Sequence, residues 1–240
     1  MESVKTRGII TKCRDFGESN CMMTVLADGL GVISVSAYGV RSKKSKTRVR
    51  LFSCSDFVLG KKSGDVYRME QMDLVDGFYP ICEDITKLSL ANYLSDLAQD
   101  AFDMADGNIL SLLLNTIYVI SYKEVDQNLI KGIFELKLAQ YMGYEPNMGS
   151  CIKCGSVENL SAFDISGGVK CKSCQTGYDI PMQGGTYAAI QHILYGAESK
   201  IFSFSVSDGV KKELSKIAEE YILDKCDRKY KSLEYYKNII

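Results

Sequence analysis

Leu30-Gly31-Val32-Ile33-Ser34-Val35-Ser36-Ala37-Tyr38 alternates apolar and small polar residues from Val32 to Ser36. That is the period of a strand with one face buried and one exposed. Similar runs, rich in β-branched and apolar residues, span Val4 to Arg14, Cys21 to Ala27, Leu51 to Leu59 and Val66 to Val75. Turn signals separate several of them: Phe16-Gly17-Glu18-Ser19-Asn20, Asp28-Gly29-Leu30-Gly31 and Lys62-Ser63-Gly64-Asp65. Five short strands in so few residues suit a small closed barrel, of the OB or SH3-like kind, better than a sandwich.

After Pro80 the period lengthens. Ile85, Leu88, Ala91 or Asn92, Leu94, Leu97, Ala98, Ala101 and Phe102 recur at steps of three and four, which predicts an amphipathic helix. A second helix is expected over Asn108–Tyr122, after the Asp106-Gly107 break. A third is expected over Asp126–Met142, with Asp126 as its cap and Gly143 as its stop. Later helices fit Thr186–Tyr195 and Asp208–Lys225. The expected fold is therefore multidomain, mixed β and α. Residues 1–80 form a small barrel of the OB or SH3-like kind, and 81–240 a helical domain with a cysteine module inserted at 148–180. No internal repeat or low-complexity tract interrupts this plan.

The 240 residues carry a formal net charge of −1, with 46% hydrophobic and 25% charged residues, the usage of an ordinary globular chain. Disordered, collagen-like and disulfide-dense classes are excluded. The near-neutral sum hides a division: residues 1–80 are net +4 and residues 81–150 are net −6. The basic third is thus cancelled by an acidic middle. Met1-Glu2-Ser3-Val4-Lys5-Thr6-Arg7-Gly8 is followed by no signal-like apolar core, so no secretory signal is expected. The most apolar stretch, Ile109 to Ile120, is too short for a membrane span and reads as a buried helix. Nine cysteines in such a chain point to a reducing, cytoplasmic setting.

Cys151-Ile152-Lys153-Cys154 and Cys171-Lys172-Ser173-Cys174 are two Cys-x-x-Cys pairs. The two-residue gap turns both sulfurs of a knuckle to one side, and Gly155 relieves the turn after the first. Two converging knuckles supply four thiolates to a tetrahedral Zn²⁺. Four thiolates leave no position for water, so the expected ion is structural. Cys13, Cys21, Cys54, Cys82 and Cys226 are scattered on apolar stretches and read as small buried hydrophobes.

Arg41, Lys43, Lys44, Lys46, Arg48 and Arg50 form a basic loop between two predicted strands, with no acid from Asp28 to Asp56. Flanked by Tyr38 and Phe52, it combines phosphate-neutralising charge with rings on which bases stack. Arg7, Lys12 and Arg14 extend the same face. Lys225, Arg228, Lys229 and Lys231 make a weaker second patch. No phosphate-binding loop occurs, which argues against an ATP-driven motor. His192, the single histidine, reads as a packing residue within a helical run. The carboxylates between residues 83 and 106 read as a solvated or partner-facing surface. No enzyme chemistry is indicated.

Three stretches together resemble the bacterial RecO family of recombination mediators. They are Arg7-Gly-Ile-Ile-Thr-Lys-Cys-Arg-Asp15-Phe-Gly-Glu-Ser19, then Gly31-Val-Ile-Ser34 with Ala37-Tyr-Gly39-Val-Arg41, then Phe134-Glu-Leu-Lys-Leu138 with Gly143-Tyr144 before Cys151. The Phe163 to Gly168 segment ahead of Cys171 also fits. The resemblance implies an OB-fold nucleic-acid-binding domain over 1–80, a helical domain over 81–240 with an inserted zinc module, and a non-enzymatic protein that binds single- and double-stranded DNA and anneals complementary strands. With RecR it would help load RecA on strands coated by single-strand binding protein (SSB). It implies DNA contact for the six loop cations and zinc for the four cysteines, with neither a membrane nor a small-molecule substrate as partner, and a place at the bacterial nucleoid. Two rival readings of the same residues are an RNA-binding or ribosome-associated OB and zinc-ribbon protein, and a protein-interaction adaptor.

Overall fold

The computed structural model describes residues 3–42, 45, 48–61, 66–105 and 108–240. Five strands close a barrel: β1 (Ser3–Phe16), β2 (Asn20–Ala27), β3 (Gly31–Ala37), β4 (Cys54–Lys61) and β5 (Val66–Asp76). Their order is β1-β2-β3-β5-β4, antiparallel except where β3 meets β5 in parallel. This OB-like closure leaves no free sheet edge. Ile10, Met23, Val25, Val35, Phe57 and Leu59 fill the interior.

A bulge lies between Ile10 and Lys12 on β1. Beside it, Ile10 points into the barrel while Ile9 joins a second apolar cluster outside, with Leu26, Phe52 and Cys54. That outer wall is what the helices cover. Gly31 is needed there twice over: its φ is +76°, and a Cβ would come within 2.7 Å of the Phe102 ring. The expected strand over Leu51–Leu59 begins only at Cys54, because Leu51 and Phe52 form a turn. Phe52 donates its N–H to Ile10 O at 2.7 Å and buries its ring among the helices.

The second domain comprises α1 (Tyr79–Cys82), α2 (Ile85–Ala101), α3 (Ile109–Tyr122), α4 (Gln127–Tyr141), α5 (Gly184–Tyr195), α6 (Asp208–Cys226) and α7 (Lys231–Ile239). Asp84, Asn108, Asp126 and Ser207 cap α2, α3, α4 and α6 by accepting first-turn N–H groups. Past α4, Gly143 sits at φ +82° and donates to Gln140 O, while Tyr144 N–H reaches Ala139 O at 2.8 Å. That paired closure stops the helix where the glycine was expected to. The sequence pattern did not indicate α7, whose short stripe of Leu233 and Tyr236 packs against the rest of the helices. No helix of the described residues is long and apolar enough to cross a membrane.

Every residue of α4 from Leu129 to Ala139 is buried, charged ones included. Lys131 Nζ lies 3.1 Å from Glu135 and 2.9 Å from Glu219 of α6. Tyr93 of α2 donates its hydroxyl to Glu135 at 2.7 Å, and Lys237 of α7 reaches Glu219 at 2.6 Å. One polar network thus joins α2, α4, α6 and α7.

Cys21 and Cys54 are buried as expected, and Cys226 is half-buried. Cys13 and Cys82, however, are exposed, and Cys13 is bonded to Cys21. These two sit on adjacent antiparallel strands with Cα atoms 6.5 Å apart, within the span a disulfide bridges. The expectation of five buried small residues therefore fails for Cys13 and for Cys82, the exposed last residue of α1.

Removing one member of a buried pair strands its partner, so Glu135→Ala should lower unfolding stability by about 3 kcal/mol in urea denaturation. Burial pushes the Glu135 carboxyl up to about 7, against the pull of Lys131 and Tyr93. The folded protein therefore holds a proton that the unfolded chain releases between the ordinary carboxyl range and pH 7. Stability falls across that window. Glu135→Gln should gain on the wild type as pH rises from 5 to 8, and a constant difference would refute the shift.

Candidate nucleic-acid interface and metal centre

Between α4 and α5 the chain makes a small antiparallel sheet, β6 (Leu160–Asp164), β7 (Gly168–Cys171) and β8 (Ile180–Pro181), in the order β7-β6-β8. Each Cys-x-x-Cys pair forms a tight turn. Gly155 N–H closes on Cys151 O at 2.8 Å, and Cys174 and Gln175 N–H groups close on Cys171 O at 3.0 Å. The turns bring all four sulfurs within 4.8 Å of one another, with Cys154 and Cys171 Sγ 3.7 Å apart. Tetrahedral sites with metal–sulfur bonds of about 2.3 Å require sulfurs about 3.8 Å apart. The cage therefore has the dimensions of a four-thiolate site and could hold a metal ion.

Backbone N–H groups of Cys171, Cys154 and Lys153 aim at Cys151 and hold its thiol down to about 6. Cys151 thus favours thiolate, while the hydrogen bond with Cys154 and burial push the Cys174 thiol up to about 12. The sheet is fastened to the helices. Phe163 meets Tyr221 edge-on at 5.4 Å, and Lys225 donates to Ile165 O and Ser166 O at 3.0 and 3.1 Å. Within the sheet, Lys170 pairs with Asp164 and, at 2.9 Å, with Asp179. Gly168 passes so close to the Asn147 backbone that no Cβ would fit.

The basic loop joins β3 to β4. Lys43, Lys44 and Lys46 lie outside the described residues. Arg41, Arg48 and Arg50 are exposed. Arg41 pairs with Asp15 at 3.1 Å and ties its N–H to Ser19 O, docking the loop's start on the β1–β2 turn. Tyr38, 45% exposed, stands between the Phe16 ring at 5.8 Å and the Arg68 guanidinium at 5.5 Å. Arg50 lies 4.9 Å over the Tyr79 ring. These groups bring cations against exposed rings at both ends of the loop, an arrangement able to hold phosphates and stack bases.

The first strand divides its cations. Arg14 is exposed with no partner among the described residues. Lys12 pairs with Asp96 of α2 at 3.0 Å, and Arg7 forms a forked pair with Asp56 at 2.8 and 2.9 Å. That fork holds the Asp56 carboxyl below its ordinary range. Sequence reading passed over Phe16 and Arg68. Each is single in its stretch, and only the meeting of β3 with β5 sets Arg68 beside Ser36 and near Tyr38.

Toward the C-terminus, Lys225 is spent on the cysteine sheet and Arg228 pairs with Asp100, while Lys229 and Lys231 stay exposed. The α2 acids are likewise employed. Asp84 caps the helix, Asp96 holds Lys12 and Ser232, and Asp100 holds Arg228. These three are ties within the fold, Glu83 and Asp103 stay exposed as a solvated surface would have them, and among the described residues no metal-sized group of carboxylates alone forms. His192 packs edge-on against Phe204 at 4.9 Å, as a packing residue should.

Two family models match this chain: Recombination protein O N terminal over residues 1–78 and Recombination protein O C terminal over residues 82–234. The DNA repair protein RecO of Acetivibrio thermocellus is 30% identical over 247 residues, covering 100% of this chain and 98% of the relative. That of Alkaliphilus metalliredigens is 31% identical over 245 residues, covering 98% and 99%. The DNA repair protein RecO of Clostridium perfringens is 28% identical, covering 100% and 99%.

Protein purified without chelator should carry close to one thiolate-bound divalent metal per chain by elemental analysis. Cys171→Ser should lose the metal and lower the melting temperature, because Phe163 and Lys225 transmit disorder of the sheet to α6. Metal content near zero in the wild type would refute the site.

Proposed function

Because the chain belongs to the RecO family of DNA repair proteins, we propose that it is a DNA-binding recombination mediator with no catalytic chemistry of its own. Residues 1–80 bind nucleic acid as an OB domain. Residues 81–240 serve as the helical platform, with 148–180 as a module folded around one Zn²⁺ held by Cys151, Cys154, Cys171 and Cys174. The zinc is structural: it secures a small sheet that could not otherwise bury enough apolar surface.

Arg41, Lys43, Lys44, Lys46, Arg48 and Arg50, with Arg14 and Lys12, contact phosphates, and Tyr38 stacks a base. The observation that carries this reading is Tyr38 exposed between Phe16 and Arg68 at the foot of the basic loop. The loop carries three lysines and three arginines, and the lysines Lys43, Lys44 and Lys46 act as point charges suited to phosphates more than to base edges. Binding both single and double strands without sequence preference follows. Neutralised strands repel each other less, so complementary strands pair faster. With RecR, the protein then helps RecA replace SSB on single strands, in the cytoplasm at the nucleoid.

The six loop cations alone would give a log–log salt slope near −4 on single strands, at about −0.7 per contact. Changing Lys43, Lys44, Lys46 and Arg48 together to Ala should flatten that slope by about 3 and slow annealing of complementary strands, bare or SSB-coated. An unchanged slope would refute the assignment. Tighter binding to RNA than to a matched DNA strand would favour an RNA-binding factor instead.

A further inference from the structure

Among the tyrosines exposed beyond the barrel are Tyr79 at the start of α1, 46%, and Tyr118 and Tyr122, 44% and 43%, one turn apart on α3. They are linked to each other and to cations. Arg50 sits over Tyr79, Tyr118 and Tyr122 meet edge-on at 5.3 Å, and Lys123 Nζ lies 5.5 Å from the Tyr118 ring. Phe78 lies beneath, 6.0 Å from Tyr122. Cations and rings therefore run from the last residue of the basic loop to the end of α3.

The run is held in place. Tyr79 lies so close over Gly77 that a Cβ there would come within 2.7 Å of its ring. Tyr122 donates its hydroxyl to Asp76 at 2.7 Å, and the same oxygen accepts the Phe78 N–H at 2.9 Å. Asp76 is thus engaged in fixing the rings, and Glu124 lines the cleft beyond Lys123. Exposed rings interleaved with cations suit an unpaired strand, since every base offers a face to stack on. A duplex, whose bases are already stacked on each other, has nothing to offer them.

We propose that a single strand leaving the barrel continues across the joint, stacking bases on Tyr79, Tyr122 and Tyr118 with Arg50 and Lys123 at its phosphates. Arg50 covers the Tyr79 face until a base replaces it. The proposal rests on the DNA-binding reading above and makes the helical domain part of the single-strand path.

The test is anisotropy of fluorescein-labelled oligo(dT), and of a labelled duplex of equal length, titrated with the full-length protein. Tyr118→Ala should weaken single-strand binding by about 5- to 100-fold, with no change in salt slope or in duplex affinity. Tyr118→Phe, which keeps the ring, should bind as the wild type does. A strand carrying 5-bromouracil should photocrosslink to Tyr79, Tyr118 or Tyr122. If Tyr118→Ala and Tyr79→Ala bind single strands as tightly as the wild type, the proposal is overturned while the barrel reading stands, and this face goes to a protein partner. Equal loss on both DNA forms would also overturn it. A wild type that binds no DNA at low salt would overturn the functional reading itself.

Discussion

Phe52 and Phe78 hold φ values of 63° and 42°, in the left-handed region that disfavours side chains. Each conformation costs about 1–2 kcal/mol. Both rings are nonetheless buried, at 0% and 5% exposure, in the cluster between the barrel's outer wall and the helices. Burying a phenylalanine contributes roughly 1.5–3 kcal/mol, so burial offsets the strain. This joint carries the functional surface. Phe52 anchors the return of the basic loop just after Arg50, and Phe78 sets the turn that presents Tyr79. Ion pairs across the joint, such as Lys12 with Asp96, are exposed and add little.

The helical domain depends on a second constraint, the burial of charge on α4. A lone ammonium in that position would be prohibitive. Lys131 is tolerable because Glu135 and Glu219 flank it, Ser215 lies within 3.4 Å, and Tyr93 and Lys237 complete the ring of partners. The geometry fixes how α2, α6 and α7 sit around α4, and hence where α7 returns. The acidic character of residues 81–150 is resolved in the same way. Several of those acids cap helices or pair across the fold, so the segment's negative sum describes its internal wiring more than its surface.

Much of the architecture was legible because local patterns agree with the final fold. Alternation at Val32–Ser36 marks β3, three- and four-residue steps mark α2, Asp126 and Gly143 bracket α4, and Cys-x-x-Cys spacing marks the sulfur cage. The misreadings have a common source. The start of β4 depends on where Phe52 buries, and α7 shows too short a stripe to be seen without its docking surface. Exposure of Cys13 depends on the register of β1 against β2. Arg68 and Phe16 lie far from Tyr38 in sequence, and no local pattern marks them.

By itself the sequence determined a five-strand barrel, a helical platform, a four-cysteine insertion and a basic loop. Each of these is written in residue type and spacing over a few turns of chain, where local sterics and side-chain periodicity decide. Tertiary structure alone decided which cations remain free. Arg7, Lys225 and Arg228 are taken up by acids or carbonyls distant in sequence, whereas Arg14, Arg48 and Arg50 face outward without an acid beside them among the described residues. It also decided which tyrosines stay uncovered, because Tyr93 and Tyr118 look alike in a helical pattern and only packing buries one and exposes the other. Charge pairing and burial are contacts between distant residues, so no reading of local pattern can assign them.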